Sequence, residues 1–532
     1  MTSYLYEKRM MAATLRYPIG IQTFSKIIEG GYVYIDKTRY IKQLRDTGDY
    51  YFLSRPRRFG KSLFLSTLEA YFEGRRDLFK GLYISGEEYD WSPYPVLMFS
   101  FNTLEASSMD SLSKFLNTAL SRYEQKYGKD PDTEGLPQRF ENLLVNAYEK
   151  TGKKVVVLID EYDSPLLETL DRPELNERYR QILKPMFSVL KSYDRYIEFA
   201  FVTGVSRFSH TSLFSGANNL KDITLDDKFA GICGITEEEL KDQLFDSIKE
   251  LAKKQKVSDE EAFTILKENY DGYHFSEESP DIYNPYSLLN ALDTRKIDDF
   301  WFKSGTPSYL IGIMKRDNFF LPDLDCMETL ANGLSVKESY LNNPVALLFE
   351  TGYLTIKGFD DEMNLYTLGL PNKEVAESFS KALMPIYSGY MDRECEDLLV
   401  RMRRALVEGD ADRFMQVLQT FLEGNPYGNT EMAKRESYFK NNIYVVFRAL
   451  GFLPRAEEQT CRARMDVMLR TRRFIYVFEL KTDGNAAKAM DQIEDRGYAV
   501  PYRHSDKTVI RIAANYSTQR NNIDSWEISN MP

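Results

Sequence analysis

The chain has 532 residues, 43% hydrophobic and 28% charged with 29 Gly and 20 Pro, which excludes collagen-like, low-complexity and largely disordered classes. That length exceeds a single hydrophobic core, so about two to four domains are expected. The net charge of −11 is uneven: residues 431–532 hold 17 Lys and Arg against 13 Asp and Glu, a local +4, and the rest carries −15, so a polyanionic partner is expected at the C-terminal end.

Four separated cysteines (Cys233, Cys326, Cys395, Cys461) without a C-x-x-C pair predict core thiols, and only three histidines argue against a His-rich metal site. Any metal would need carboxylate ligands. The start lacks a signal-peptide pattern and no apolar run approaches a membrane span, so a cytoplasmic protein with no membrane partner is expected.

In chain order, buried-strand runs alternate with amphipathic segments: YYFL (50–53), a helix over Lys61–Phe72, VLMFSF (96–101), a helix near 110–126, VVVLID (155–160) and IEFAFV (197–202). This pattern predicts βαβ units and a parallel sheet. Residues 236–300 read as helices, with start signals at Thr236 with Glu239, at Ser258 with Glu261, and at Asn284-Pro285. Around 340–390 a helix, a hairpin and a helix from Lys373 form a winged-helix-like pattern. A helical pair broken at Gly409 follows, and then a linker at 424–428.

Gly60-Lys61-Ser62 follows the first strand and opens a helix, with Leu63, Leu65, Leu68 and Phe72 expected to face the sheet. A phosphate loop needs this context: free N–H groups at a helix start, a lysine for the β/γ-phosphates and a hydroxyl for Mg²⁺. The tripeptide recurs by chance in roughly one chain in five of this length, so a second element is required. Asp160-Glu161 supplies it, at the C-terminal edge of a buried strand where α/β sheets bind ligands. Asp160 is expected to hold Mg²⁺ and Glu161 to activate water. Arg55 replaces the usual first glycine, and Arg55, Arg57 and Arg58 are expected to supply charge to the phosphates.

Together with Tyr17-Pro18-Ile19-Gly20, Tyr34-Ile35-Asp36-Lys37-Thr38, Asp160-Glu161-Tyr162-Asp163, Thr203-Gly204-Val205-Ser206-Arg207-Phe208, Tyr270-Asp271-Gly272-Tyr273 and Gly305-Thr306-Pro307, these residues resemble the bacterial AAA-ATPase-like family. The resemblance covers most of residues 15–310. It implies a P-loop NTPase core that binds ATP, with Thr203 or Arg207 as sensors of the terminal phosphate.

In residues 474–481, alternation puts Ile475, Val477, Glu479 and Lys481 on one strand face and Phe474, Tyr476, Phe478 and Leu480 on the other. A carboxylate continuing an apolar face needs a cation, so Glu479 is expected to meet Lys481, a metal or both. Asp466 is aimed similarly on the preceding strand, and the set would bind a divalent ion and polarise water. Glu436 lies on a helix stripe upstream and Gln492 on one downstream. This order resembles the PD-(D/E)XK nuclease superfamily over about residues 425–525. The resemblance implies catalytic roles for Glu436, Asp466, Glu479, Lys481 and Gln492, with Asp466 and Glu479 as metal ligands.

The expected architecture is α/β: a P-loop NTPase parallel-sheet core (1–235), a helical lid (236–335), a winged-helix-like and helical connector (336–424) and a restriction-endonuclease-like domain (425–532). The expected function is ATP-gated, Mg²⁺-dependent cleavage of nucleic acid, DNA before RNA, by a protein free to form homo-oligomers. The alternative is a nucleotide-dependent switch or scaffold whose last domain binds nucleic acid or protein without cutting.

Overall fold

The computed structural model describes residues 15–87, 91–207, 219–303, 308–316, 319–334, 344–424, 432–451, 453–454, 466–495 and 506–530. The chain divides into two compact units, one of Met1–Trp301 with Thr329–Tyr366 and one of Phe302–Glu328 with Thr367–Pro532. The expected linker at 424–428 falls almost wholly outside the described residues, as does the Gly305-Thr306-Pro307 motif.

The first unit is built on a five-stranded sheet of β1 (Tyr50–Ser54), β2 (Val96–Ser100), β3 (Val155–Asp160), β4 (Ile197–Gly204) and β5 (Lys221–Asp222), in the order β2-β3-β4-β1-β5. Every pairing is parallel. Their apolar runs explain this: all six residues of β3 are buried, as a strand covered by helices on both faces must be. Helices Ser111–Tyr127 and Leu136–Thr151 connect β2 to β3, and Pro173–Ser192 lies between β3 and β4. Sequence reading located only the first of these three. Helix Lys61–Phe72 buries Leu65, Leu68 and Phe72 as expected, but Phe64 takes the buried place expected of Leu63. The Phe64 ring lies 5.8 Å from that of Phe201 on β4.

The helical part of this unit starts where its side chains dictate. Thr236 and Glu239 form a reciprocal capping box on Glu237–Gln255, Ser258 and Glu261 form another on Asp259–Tyr270, and Asn284 caps Pro285–Thr294. Leu240, Leu244, Ile248, Leu266 and Leu288 form their common core, and β6 (Ile235–Thr236) pairs with β7 (Ile282–Tyr283). The chain leaves the unit after Trp301 and returns within β8 (Met327–Leu330). Helix Pro344–Thr351 then leads through Gly352, at φ 88°, into β9 (Thr355–Asp360) and β10 (Leu365–Gly369), followed by helix Lys373–Ser388. The helix, hairpin, helix order read from the sequence is therefore present.

The second unit holds a five-stranded sheet in the order β11 (Leu453–Pro454), β12 (Asp466–Arg470), β13 (Phe474–Thr482), β14 (Thr508–Ser517), β15 (Asn522–Asn530). Only β13 and β14 run parallel, joined through helix Ala486–Asp495. Both faces of β13 are covered. Ile475 and Val477 pack with Ala489, Met490 and Ile493 of that helix. On the other face Phe478 lies 5.6 Å from Phe414 and 5.0 Å from Phe447. Phe414 belongs to helix Ala411–Glu423, which Gly409, at φ 85°, separates from Asp392–Glu408.

Cys233 and Cys395 are buried thiols, as expected, but Cys326 is disulfide-bonded and departs from that expectation. Among the described residues no helix is long and apolar enough to cross a membrane.

Candidate active sites

The first site forms where β1, β4 and β3, adjacent in the sheet, end at the same edge. Gly60, at φ 97°, caps helix Lys61–Phe72 in a left-handed conformation that a side chain would strain. Lys61 is 4% exposed, and its ammonium donates to the carbonyls of Arg55 (2.9 Å) and Pro56 (3.1 Å), inside the loop. Ser62 follows, half-buried, at the helix start. Arg57 and Arg58 are exposed, and Arg58 lies over the Tyr286 ring.

Arg55 does not serve the phosphates. Its side chain is buried, donates to the carbonyls of Ser54 and Thr224 at 2.8 Å and of Phe229 at 3.2 Å, and lies over the Phe275 ring. Burial lowers its pKa to about 10. The charge expected from Arg55 is thus committed to carbonyls, whereas Arg57 and Arg58 stay exposed.

On β3, Asp160 is 1% exposed and accepts from Thr203 Oγ1 (2.8 Å) and Asn102 Nδ2 (3.3 Å). Thr203 sits at the end of β4, so the expected sensor and the expected metal carboxylate touch. Glu161 has φ 49°, a sparsely populated conformation for a non-glycine residue and one found preferentially at functional sites. Burial raises its pKa above the usual carboxylate range, against the opposing pull of the Lys61 ammonium. Asp163, also buried, accepts from Val205 N (3.0 Å), Ser206 N (2.6 Å) and Ser206 Oγ (2.7 Å), tying the acidic turn to the loop after β4. Gly204, the last residue of β4, admits no side chain: a Cβ would stand 2.5 Å from the Tyr162 ring. Arg207 ends the described part of the loop, and its guanidinium faces Glu350 and the Leu334 carbonyl.

For a magnesium ion, Ser62 and Asp160 offer hydroxyl and carboxylate oxygens only, which suits a hard cation completed by phosphate and water oxygens. Among the described residues no group of three His, Cys, Asp or Glu side chains forms a ready-made metal cluster.

The second site lies on β12 and β13. Asp466 and Glu479 are direct partners in the antiparallel register, so both positions belong to one sheet face. Glu479 is 4% exposed, and Lys481 Nζ lies 3.4 Å from its Oε1. The same ammonium donates to Gln492 Oε1 of helix Ala486–Asp495. Lys481, one of the cations expected beside Glu479, is thus held between the acid and an amide. Glu436 lies within helix Met432–Ala449, but its side chain, like that of Asp466, falls outside the described residues.

A family model described as "Predicted AAA-ATPase" matches residues 18–214, and one described as "PD-(D/E)XK nuclease superfamily" matches residues 434–526. An uncharacterized protein from the vnfD 5′ region of Azotobacter chroococcum mcd 1 is 34% identical over 526 residues, covering 97% of this chain and 99% of its own. The chain belongs to the AAA-ATPase-like family, with a C-terminal PD-(D/E)XK superfamily domain.

In this AAA-ATPase-like protein, the fold gives partners in or beside the first site to three residues to which sequence reading assigned no role. Asn102 stands two positions beyond β2 and reaches Asp160, Asp163 organises the turn, and Glu350 faces Arg207 from a segment 143 residues away. A polar residue just past a strand's C-terminal edge was the available signal for Asn102. Glu350 had none, because its role depends on a distant chain return.

Proposed function

We propose that the protein binds and hydrolyses ATP with Mg²⁺ at the first site and that its nucleotide state gates cleavage of nucleic-acid phosphodiesters at the second. Lys61 would hold the β/γ-phosphates, Ser62 and Asp160 the magnesium, Arg57 and Arg58 would add charge, and Thr203 and Arg207 would read the terminal phosphate. Glu161, its pKa raised by burial, is suited to accept a proton from water. Bound Mg²⁺ would neutralise phosphate charge at both sites.

At the second site Asp466 and Glu479 would hold the metal. Lys481 would orient water or stabilise developing phosphate charge, and Glu436 and Gln492 would border the reacting group. One observation carries the cleavage reading: Glu479, Lys481 and Gln492 form a continuous polar chain, with Asp466 at the register position directly opposite Glu479. DNA is the proposed substrate before RNA, in a cytoplasmic setting, with homo-oligomers allowed. The lid (236–335), connector (336–424) and last domain (425–532) are proposed as the functional divisions beyond the core.

The deciding experiment incubates purified protein with plasmid, single-stranded DNA and RNA, with and without Mg²⁺ and ATP. Mg²⁺-dependent cutting that changes with ATP is expected. ATP binding with no cutting of any substrate would replace the nuclease reading with a nucleotide-dependent switch.

A further inference from the structure

Glu350 is buried and Arg207 mostly so, with side chains 1% and 10% exposed, and Arg207 Nε lies 3.7 Å from Glu350 Oε1. Nη2 donates to the Leu334 carbonyl at 2.7 Å, whereas Nε makes no hydrogen bond. Glu350 Oε1 accepts instead from the Arg207 backbone N–H at 3.1 Å. A buried guanidinium with an idle donor retains capacity for a second anion. Asp163 of the acidic turn fixes the two residues before it, which ties Arg207 to the edge of the first site.

Glu350 sits in the last turn of helix Pro344–Thr351, and that helix end meets the phosphate loop separately. A Cβ at Gly352 would stand 2.8 Å from the Pro56 ring, and Tyr353 lies within electrostatic reach of Arg57. Trp301 donates to the Arg57 carbonyl at 3.0 Å, with its ring 5.3 Å from that of Tyr353. All these groups belong to the first unit.

We propose that Glu350 is a positioning residue for the nucleotide site: it holds Arg207 as the counter-charge that the terminal phosphate must displace, so helix Pro344–Thr351 distinguishes triphosphate from diphosphate. This rests on the ATP reading above. Neutralising Glu350 removes the competitor while leaving Arg207 its carbonyl partner. Triphosphate should then bind more tightly, diphosphate should not, and hydrolysis should slow because the Arg207 backbone N–H loses its carboxylate anchor.

The test is calorimetry with ATP and ADP, with steady-state hydrolysis, on the full-length protein and folded variants checked by circular dichroism. Glu350→Gln should tighten ATP about threefold to tenfold with ADP unchanged, and lower both KM and kcat. Glu350→Asp, which keeps the charge, should retain the wild-type ATP-to-ADP ratio. Arg207→Ala should bring the two affinities together, and adding Glu350→Gln to it should change nothing further. An unchanged ratio in Glu350→Gln, or the same shift without Arg207, overturns the positioning role. Loss of all binding in Lys61→Ala beside an inert Glu350→Gln would leave the ATP reading standing, whereas a wild-type protein that binds neither nucleotide removes both.

Discussion

Lys61 and Glu161 carry different parts of the proposed ATP chemistry. The ammonium is buried among loop carbonyls, so Lys61→Ala removes the charge proposed for the β/γ-phosphates and should weaken ATP binding at least about tenfold by calorimetry. Glu161→Gln keeps shape but cannot accept a proton. It should bind ATP within about twofold of wild type and lose most hydrolysis. Unchanged affinity in the first variant would sink the assignment.

Asp271 carries a different prediction. It is 1% exposed beside Lys267, Asp281, Glu237, Tyr283 and Lys357, and burial raises its pKa to about 7. Between the ordinary carboxylate range and about pH 7 the folded protein therefore holds a proton that the unfolded chain has released, and stability must fall as pH rises through that window. Asp271→Asn cannot release this proton. Melting temperatures at pH 5 and pH 8 should diverge more in wild type than in the variant; parallel curves would disprove the burial argument.

Helix caps and strand alternation, whose instructions are local, were read correctly from sequence, whereas partners supplied by a distant chain return were not. The capping boxes at Thr236 and Ser258 need only side chains three residues apart, and both formed where expected. The face assignment of β13 held for the same reason, since alternation alone separates Ile475 and Val477 from Tyr476 and Phe478. By contrast, the commitment of Arg55 to carbonyls at Thr224 and Phe229 requires a chain return about 170 residues later, so its arginine resembled a phosphate ligand.

The pairing of β12 with β13 leads to a specific outcome. Because Asp466 is the direct register partner of Glu479, Asp466→Ala should abolish Mg²⁺-dependent cleavage in a plasmid assay without changing the circular dichroism spectrum. Lys481→Ala should lower the cleavage rate about 10²-fold or more while metal affinity, followed by calorimetry, stays near wild type. Equal cleavage by the Asp466→Ala protein would dismiss the strand pair as the reacting centre.

The charge division of the entire chain can be tested by reversal. Arg472 and Arg473 are exposed in the turn between β12 and β13, and Lys253 and Lys254 are exposed on a helix of the first unit. Reversing the first pair to Glu should weaken nucleic-acid binding and flatten its salt dependence by about two counterions, whereas reversing the second pair should do neither. Titrations at several salt concentrations distinguish these results. Equal weakening by both would move the binding surface away from the C-terminal end.

The second unit also joins residues that are far apart in the chain. Asn441 accepts from Leu321 N (2.9 Å) and donates to the Phe319 carbonyl (3.0 Å), and Asp325 accepts from Tyr444 and Arg448. These partners lie 119 to 123 residues apart. At ordinary synthesis rates the ribosome needs roughly 6–25 s to deliver the later partner after the earlier one. Until then residues 319–325 lack their helix partner, while the intervening first-unit segment is still being made. The birth of this protein is therefore a waiting problem: slowing translation between residues 326 and 441 should prolong the time in which the early segment is open to chaperones, proteases or neighbouring nascent chains.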